Sequence, residues 1–229
     1  MSSFFKRFIS PRENPGVKLI VFDFDGTLAD TRELLLRIIR KHLLAFEIYL
    51  TKEFIKSFGN TPLEKYVSFV GVPNKLVRSV CSTITYDFMN EYHKIKSCKN
   101  LISIKSINIR KVIVSNNVTP FIQKTLGFLR ANFFDHVYGS DNFDNKVTMI
   151  KSLCKKYGIS TSEVIYVGDK NIDVDVARQV GCYSIIIAGK AAWSSRGEIL
   201  VKRPDYVLTD LGKLYEVIAQ LNMKQLSAV

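Results

Sequence analysis

Two aspartates stand two residues apart directly after a short apolar run, in the segment Asp23-Phe24-Asp25-Gly26-Thr27. In an extended chain, side chains at this spacing point to the same face. Two carboxylates so close together resist ionising at the same time, so either a cation lies between them or one of them keeps its proton. The segment therefore favours metal binding, general acid–base catalysis or both.

Further polar groups of the same kind stand at the ends of later apolar runs. Ser115 and Asn116 end one run, and their hydroxyl and amide groups suit phosphate oxygens. Asp169 ends another, Asp173 follows it by one helical turn, and Lys146 opens the preceding helix. Hard oxygen ligands favour magnesium, so these groups together indicate a site for a magnesium ion and a bound phosphate.

The pattern of apolar runs predicts the elements that must position these groups. Strands are predicted at 18–24, 111–115, 136–139, 163–169, 183–189 and 205–210. Helices are predicted between them at about 119–130, 145–157 and 171–180, the last two ending at Gly158 and Gly181. Strands that alternate with helices indicate a mostly parallel α/β sheet covered on both faces. Ligands of such sheets bind at the carboxyl ends of the strands, where the polar groups stand.

Residues 31–97 are predicted to be helical, with no strand. Asp30 and Glu33 form a capping-box pattern, and we expect Asp30 to cap a helix rather than to act as a catalyst. The further helices are predicted to begin at Thr51, at Thr61 to Glu64, and at Pro73, the last running to His93. We therefore predict an N-terminal extension at 1–17, a core domain formed by 18–30 and 98–229, and a helical cap domain at 31–97.

Composition narrows the classes of function. The chain has 229 residues and a formal net charge of +12, which favours anionic partners. The basic residues are scattered, so a small phosphorylated metabolite explains the charge as well as nucleic acid does, and nucleic acid is not favoured. No apolar run is long enough for a membrane helix, no signal peptide is apparent, and the four cysteines are far apart. We expect free thiols and a cytoplasmic protein without a membrane partner; the oligomeric state cannot be predicted.

Four motifs in order resemble those of the haloacid dehalogenase superfamily, in its phosphoglycolate phosphatase-like branch. They are DFDGT at 23–27, VSNN at 114–117, Lys146, and GDKNID at 168–173. The resemblance extends from Lys18 to about Ile218. It implies a Rossmann-like three-layer α/β sandwich with a parallel sheet and an all-helical cap inserted after the first strand. It also implies a magnesium-dependent phosphatase.

The resemblance also implies a role for each motif residue. Asp23 is expected to attack phosphorus and form an aspartyl-phosphate, and Asp25 to act first as general acid and then as general base. Lys146 is expected to offset negative charge at the nucleophile. The expected phosphate-binding residues are Thr27, Ser115, Asn116 and Lys146. The expected magnesium ligands are Asp23, Asp25 through its backbone carbonyl, Asp169 and Asp173.

Asp25 also separates related chemistries. A dehalogenase has no alkoxide leaving group to protonate, so a carboxylate here favours phosphate ester hydrolysis. Two alternatives stay open: a phosphomutase of the same fold, and a non-catalytic protein that binds anions or nucleic acid. The loop 57–61 offers no arginine as a second phosphate clamp, which ranks the phosphomutase lower.

Several details depart from the family pattern or are open. Val147 replaces the usual proline after the motif lysine, and Lys170 stands where a small polar residue is common. Lys56 and Asn60 are candidates either for substrate contact or for a plain turn. The hinges of the cap are expected near Ala29 and near 97–100.

Overall fold

The core of the molecule is a six-stranded parallel sheet. A computed structural model describes residues 16–53, 55 and 62–226, with side chains up to 223. The strands are β1 (Leu19–Phe22), β2 (Ala29–Asp30), β3 (Lys96–Ser97), β4 (Arg110–Val114), β5 (His136–Tyr138), β6 (Val164–Gly168), β7 (Tyr183–Ile187) and β8 (Tyr206–Leu208). The large sheet has the order β5-β4-β1-β6-β7-β8, and all six strands predicted for it are confirmed.

Helices pack on both faces of this sheet, and others lie in the segment between β2 and β3. They are α1 (Arg32–Leu43), α2 (Leu63–Phe69), α3 (Asn74–Asn90), α4 (Thr119–Phe128), α5 (Lys146–Tyr157), α6 (Asn171–Val180), α7 (Arg196–Val201) and α8 (Leu214–Leu226). Alternate residues of a strand point to opposite faces. Ile20 and Phe22 of β1 pack in a cluster with α4 and α8, whereas Leu19 and Val21 pack in another with α5 and α6. The result is the predicted three-layer α/β arrangement.

The helical segment lies between the two shortest strands. β2 pairs with β3 in antiparallel fashion, with Ala29 opposite Ser97 and Asp30 opposite Lys96. Helices α1, α2 and α3 stand between these strands in the chain. Phe88 of α3 packs on Phe121 of α4 with ring centroids 4.8 Å apart, which joins this segment to the helices of the sheet.

Two predictions for this segment are wrong. Residues 96–97 form β3, although no strand was predicted there, because the two short strands satisfy each other's backbone groups. Asp30 does not cap α1: the N-cap is Thr31, without a side-chain cap hydrogen bond, and Asp30 belongs to β2. Asp30, which the capping-box pattern assigned to the helix, therefore belongs to a strand.

Other boundaries differ by a few residues. The helix predicted to follow the capping-box pattern ends at Leu43, and a short 3₁₀ turn then leads to Glu47, whose left-handed φ of 56° stops the helix. The helix predicted from 73 to 93 is α3. Three predictions fall outside the described residues. They concern the loop 57–61, the substrate-contact candidates Lys56 and Asn60, and the helix start at Thr61.

Helices α7 and α8 were not predicted. The sequence carried a signal for α8, since Leu214, Val217 and Leu221 recur at helical spacing and are all buried. All four cysteines are free, as expected, and all four are buried. In the described ranges, no helix is long and apolar enough to cross a membrane.

Candidate active site

The turn after β1 fixes the first aspartate. The backbone N–H of Asp23 donates to the carbonyl of Val167 at 2.8 Å, and its Oδ1 accepts from the N–H of Phe24 at 2.7 Å. The carbonyl of Phe24 then accepts from the N–H groups of Leu28 and Ala29 at 2.9 and 3.1 Å. Asp23 is therefore held at the carboxyl end of the two central strands, β1 and β6.

Gly26 allows the loop after β6 to approach this turn closely. Its φ of 77° lies in the left-handed region that favours glycine. A Cβ at this position would collide with the carboxylate of Asp169 and would stand 2.7 Å from Cδ1 of Trp193. The glycine is thus required both by the backbone and by the close contact of two loops.

A buried ion pair joins Asp23 to Lys146. The Nζ of Lys146 lies 2.8 Å from Oδ2 of Asp23, and the two side chains are only 10% and 5% exposed. The side chain of Asn145 caps α5 by accepting from the N–H of Val147 at 2.8 Å, so Lys146 is held in the first turn of that helix. The lysine predicted to offset charge at Asp23 therefore contacts it directly.

Tyr166 is a site residue that sequence reasoning missed. Its hydroxyl accepts from Nζ of Lys146 at 3.0 Å and donates to Oδ1 of Asp173 at 3.1 Å, and the side chain is fully buried. The available signal was a tyrosine in an otherwise aliphatic strand, three residues before Asp169. Tyr166 links the lysine to an aspartate in the first turn of α6, the helix that follows β6.

The two later aspartates are held by dense hydrogen bonding. Asp169 accepts from the hydroxyl of Thr27 at 3.2 Å and from the backbone N–H of Trp193 at 2.6 Å. Oδ2 of Asp173 accepts from the N–H of Asp169 at 3.0 Å and from that of Lys170 at 2.8 Å. Thr27, predicted to bind phosphate, thus donates to Asp169 in this structure.

Asp23, Asp169 and Asp173 form one buried carboxylate cluster. One oxygen of each lies within 4.8 Å of the other two. Burial raises the pKa of Asp169 well above its ordinary value, and the charge of Asp173 raises it further. Burial and the charge of Asp23 likewise raise the pKa of Asp173. Negative charge is therefore in excess here, and hard oxygen donors in this arrangement fit a divalent cation such as magnesium.

The pKa of Asp23 shifts in the opposite direction. Burial acts to raise its pKa, but the charges of Lys146 and Lys170 outweigh burial and hold the pKa below its ordinary value. Burial lowers the pKa of Lys146, but the carboxylates of Asp23 and Asp173 outweigh it and raise that pKa. Asp23 is therefore ionised and Lys146 charged near neutral pH.

Asp25 lies apart from this cluster. Its side chain is partly exposed, and both of its oxygens lie 3.4 Å from Nδ2 of Asn117. Burial raises its pKa, and the neighbouring carboxylate of Asp23 raises it further. A carboxyl group that keeps its proton more readily than usual suits the role of a general acid.

The three polar residues after β4 differ in their exposure and in their contacts. Ser115 is fully buried, and its hydroxyl accepts from the N–H of Asn117 at 3.3 Å. Asn116, predicted to bind phosphate, is exposed, and no hydrogen bond joins it to either aspartate of the first motif within the described part of the chain. Asn117, which was not selected, is the residue that reaches Asp25.

Comparison with known proteins gives one family and several relatives. Residues 20–187 match the family model described as haloacid dehalogenase-like hydrolase. A phosphoglycolate phosphatase of Vibrio cholerae is 30% identical over 125 residues, which span 52% of this chain and 53% of that protein. A phosphoglycolate phosphatase of Synechococcus elongatus is 23% identical over 219 residues, 90% of this chain and 99% of that protein. A pyrophosphatase of Halalkalibacterium halodurans is 25% identical, spanning 88% of this chain and 97% of that protein.

Solved structures share the fold over nearly the whole chain. A haloacid dehalogenase-like family hydrolase from Streptococcus pneumoniae superposes with a TM-score of 0.76 at 20% identity, covering 89% of this chain and 98% of its own. A predicted phosphoglycolate phosphatase from Haemophilus somnus gives a TM-score of 0.77 at 18% identity, covering 88% and 97%. At this identity the likeness concerns the fold alone.

Proposed function

Because this chain belongs to the haloacid dehalogenase-like hydrolase family and is a hydrolase of phosphate esters, we propose that it cleaves a small phosphomonoester through an aspartyl-phosphate on Asp23. The observation that carries this proposal is the buried Asp23, ionised and paired with Lys146, at the carboxyl end of the central strands. The same cluster favours magnesium as the cofactor.

The first step is attack by Asp23 on phosphorus. A carboxylate oxygen forms the new bond to phosphorus while the ester bond to the leaving oxygen breaks. Asp25, whose raised pKa keeps the proton available, transfers that proton to the leaving oxygen and releases the alcohol. Lys146 offsets negative charge that develops around the nucleophile.

The second step returns the enzyme to its starting state. The carboxylate of Asp25 accepts a proton from a water molecule, and the water oxygen attacks phosphorus. The bond between phosphorus and Asp23 breaks, inorganic phosphate leaves, and the proton stays on Asp25. A covalent intermediate divides one difficult hydrolysis into two easier steps.

The remaining predicted contacts complete the site. Asp23, Asp169, Asp173 and the backbone carbonyl of Asp25 would hold magnesium, which when bound neutralises charge on the phosphoryl group. Thr27, Ser115 and Asn116 are proposed to bind phosphoryl oxygens, Ser115 being supported by its buried position at the end of β4. Asn117 is added to the site because its amide reaches Asp25.

Helices α1 to α3 are proposed to form the cap of residues 31–97. The support is their place between β2 and β3, which act as the two connections to the core formed by 18–30 and 98–229. Closure of such a cap would exclude bulk solvent from the site. The hinges are proposed at Ala29 and at 97–100, where the chain enters and leaves this segment.

The substrate is proposed to be a small phosphorylated metabolite. The relatives carry the names phosphoglycolate phosphatase and pyrophosphatase, and both substrates are small anions with more than one acidic group. A polyanionic partner such as nucleic acid is the competing reading of the net charge of +12. Binding of that kind would weaken steeply as salt rises.

Release of inorganic phosphate tests this proposal. The parent protein, Asp23→Asn and the control Asp87→Asn are assayed with magnesium on 4-nitrophenyl phosphate and on a panel of small phosphomonoesters. We expect turnover by the parent and the control, and a loss of on the order of 10³-fold or more in Asp23→Asn, whose side chain keeps its shape but not its nucleophilicity. Turnover retained by a clean Asp23→Asn preparation would contradict the mechanism.

A further inference from the structure

Lys170 is a second lysine beside the carboxylate cluster. It follows Asp169 directly, and its side chain is partly exposed. Its charge acts on all four carboxylates of the site, those of Asp23, Asp25, Asp169 and Asp173. Within the part of the chain that the structure describes, however, its ammonium group forms no ion pair.

Lys146 differs from Lys170 in the contacts of its ammonium group. Its ammonium group pairs with Asp23 at 2.8 Å and donates to Tyr166 at 3.0 Å, and its side chain is only 10% exposed. That lysine is fully engaged inside the protein. Lys170 stands at the same edge of the sheet and forms no ion pair among the described residues, so its ammonium group is available to an anionic group from outside.

The ring of Trp193 holds the ammonium of Lys170 in place. Nζ lies 5.5 Å from the ring centroid, within cation–π range. The tryptophan is itself fixed, because its backbone N–H donates to Asp169 at 2.6 Å and Cδ1 of its ring lies close to Gly26. The neighbouring Ser194 accepts from the N–H of Asn171 at 3.1 Å. The lysine therefore stands beside the turn that carries both catalytic aspartates.

Backbone groups at the start of α6 are already satisfied. The N–H groups of Asp169 and Lys170 donate to Asp173, and that of Asn171 donates to Ser194. An incoming anion cannot use these three donors, which leaves the side chain of Lys170 as a donor on this turn.

We propose that Lys170, held on the ring of Trp193, binds a second anionic group of the substrate, a carboxylate or a phosphate, next to the phosphoryl group that Asp23 attacks. The proposal rests on the proposed function only in placing the phosphoryl group at Asp23. An ammonium and an anionic oxygen form a charge-assisted hydrogen bond, which is about twice as strong as a neutral one. The site would thus select phosphomonoesters with an additional negative charge.

Three non-hydrolysable ligands measure this selection directly. Methylphosphonate has no second anionic group, phosphonoacetate adds a carboxylate, and methylenediphosphonate adds a phosphonate. Binding is followed in the presence of magnesium by the fluorescence of Trp193, the single tryptophan of the chain. We expect the parent to bind one or both doubly acidic ligands roughly tenfold or more tightly than methylphosphonate, since hydrogen bonds to charged groups are strong. Which of the two binds tighter identifies the anion.

Three variants assign the preference to Lys170. Lys170→Gln is expected to lose the preference, and Lys170→Arg to retain most of it because the charge remains. Lys190→Gln removes the same charge from an exposed position on the loop that carries Trp193 and is expected to keep the preference. A parent without preference, an unchanged preference in Lys170→Gln, or an equal loss in Lys190→Gln would each overturn the proposal.

Turnover separates this proposal from the proposed function. If the parent hydrolyses no phosphomonoester but shows the preference that depends on Lys170, the proposed reaction is wrong and the anion site stands. If the parent hydrolyses 4-nitrophenyl phosphate and Lys170→Gln lowers kcat/KM equally for 4-nitrophenyl phosphate and for phosphoglycolate, the reaction stands and the second-anion site is wrong.

Discussion

Two regions of the molecule use charged residues in opposite ways. At the strand ends, Asp23, Asp169 and Asp173 are buried together, and their pKa values shift in different directions. On the face between α1 and α3, charged side chains pair near the surface. There Asp87 accepts from Lys41 at 2.8 Å and lies 2.9 Å from Nε2 of His42.

The difference lies in what each arrangement does for the protein. Exposed pairs are screened by water and salt, so each contributes little to stability and none is required for the fold. Buried carboxylates without enough counter-charge destabilise the protein when no cation is bound, and such a destabilising arrangement is typical of functional sites. Substitutions in the first region should change activity and metal response, and those in the second should change little.

The largest effect is expected when the cluster loses one carboxylate. Asp169→Asn should abolish the rise in melting temperature that we expect magnesium to produce in the parent, because a ligand stabilises the folded state only as far as it binds to that state. The amide can still accept from the N–H of Trp193 and donate to Thr27, so the fold should be kept. Thermal unfolding with and without magnesium measures this without any assay of activity.

The pH dependence of the metal-free protein gives the matching control. The pKa of Asp169 is higher in the folded than in the unfolded state, so the folded state binds its proton more tightly. Stability from this group is present below the ordinary aspartate pKa and is lost as pH rises through the raised value. Metal-free Asp169→Asn should therefore be more stable than the metal-free parent at neutral pH. A less stable variant that still responds to magnesium would contradict the assignment.

A smaller effect is expected for Tyr166→Phe. Removing the hydroxyl takes one acceptor from Lys146 and one donor from Asp173, both in a buried site. We expect kcat to fall roughly tenfold with little change in KM, since hydrogen bonds to charged groups contribute on this scale. Tyr166 would be a positioning residue, and a higher magnesium requirement should accompany the lower kcat.

Tyr138→Phe is the matched control for that variant. Tyr138 also lies in a parallel strand and its hydroxyl also meets a lysine, Lys156, but at 3.5 Å and on the exposed side. The kcat and the magnesium requirement of Tyr138→Phe should equal those of the parent. If both phenylalanine variants lose stability and neither changes the magnesium requirement, Tyr166 has only a structural role.

The smallest effect is expected for Asp87→Asn. This change removes the ion pair with Lys41 and weakens the contact with His42, yet all three side chains are near the surface. Melting temperature should fall slightly at low salt and less at high salt, because salt screens exposed pairs. Phosphate release should not change, and a large loss of activity would show that this face contributes to the site.

The sequence predicted the sheet and its strand-end groups because both depend on short-range patterns. Buried parallel strands are continuous apolar runs, and their carboxyl ends meet at one edge. Asp23 and Asp169 lie at that edge, and the first turn of α5 brings Lys146 to it. Contacts made across the fold could not be predicted in this way. Tyr166, Asn117 and the N–H of Trp193 acquire their roles only when strand ends and loops pack together.

Asp30 shows the same limit in local structure. Its spacing to Glu33 satisfies the capping-box pattern, but the two-residue pairing with Lys96 is a contact between positions far apart in the chain. Long-range backbone pairing overrode a local preference. The helix therefore begins after Thr31 instead.

The measurement that tests the central claim most directly is the exchange of oxygen between inorganic phosphate and water. Phosphate labelled with ¹⁸O is incubated with the parent and with Asp23→Asn in the presence of magnesium, and loss of label is followed by mass spectrometry. An aspartyl-phosphate on Asp23 forms reversibly from phosphate, so the parent should exchange the label whatever its natural substrate, and Asp23→Asn should not. Exchange at the parental rate in Asp23→Asn, or none in a parent that hydrolyses phosphomonoesters, would contradict the account.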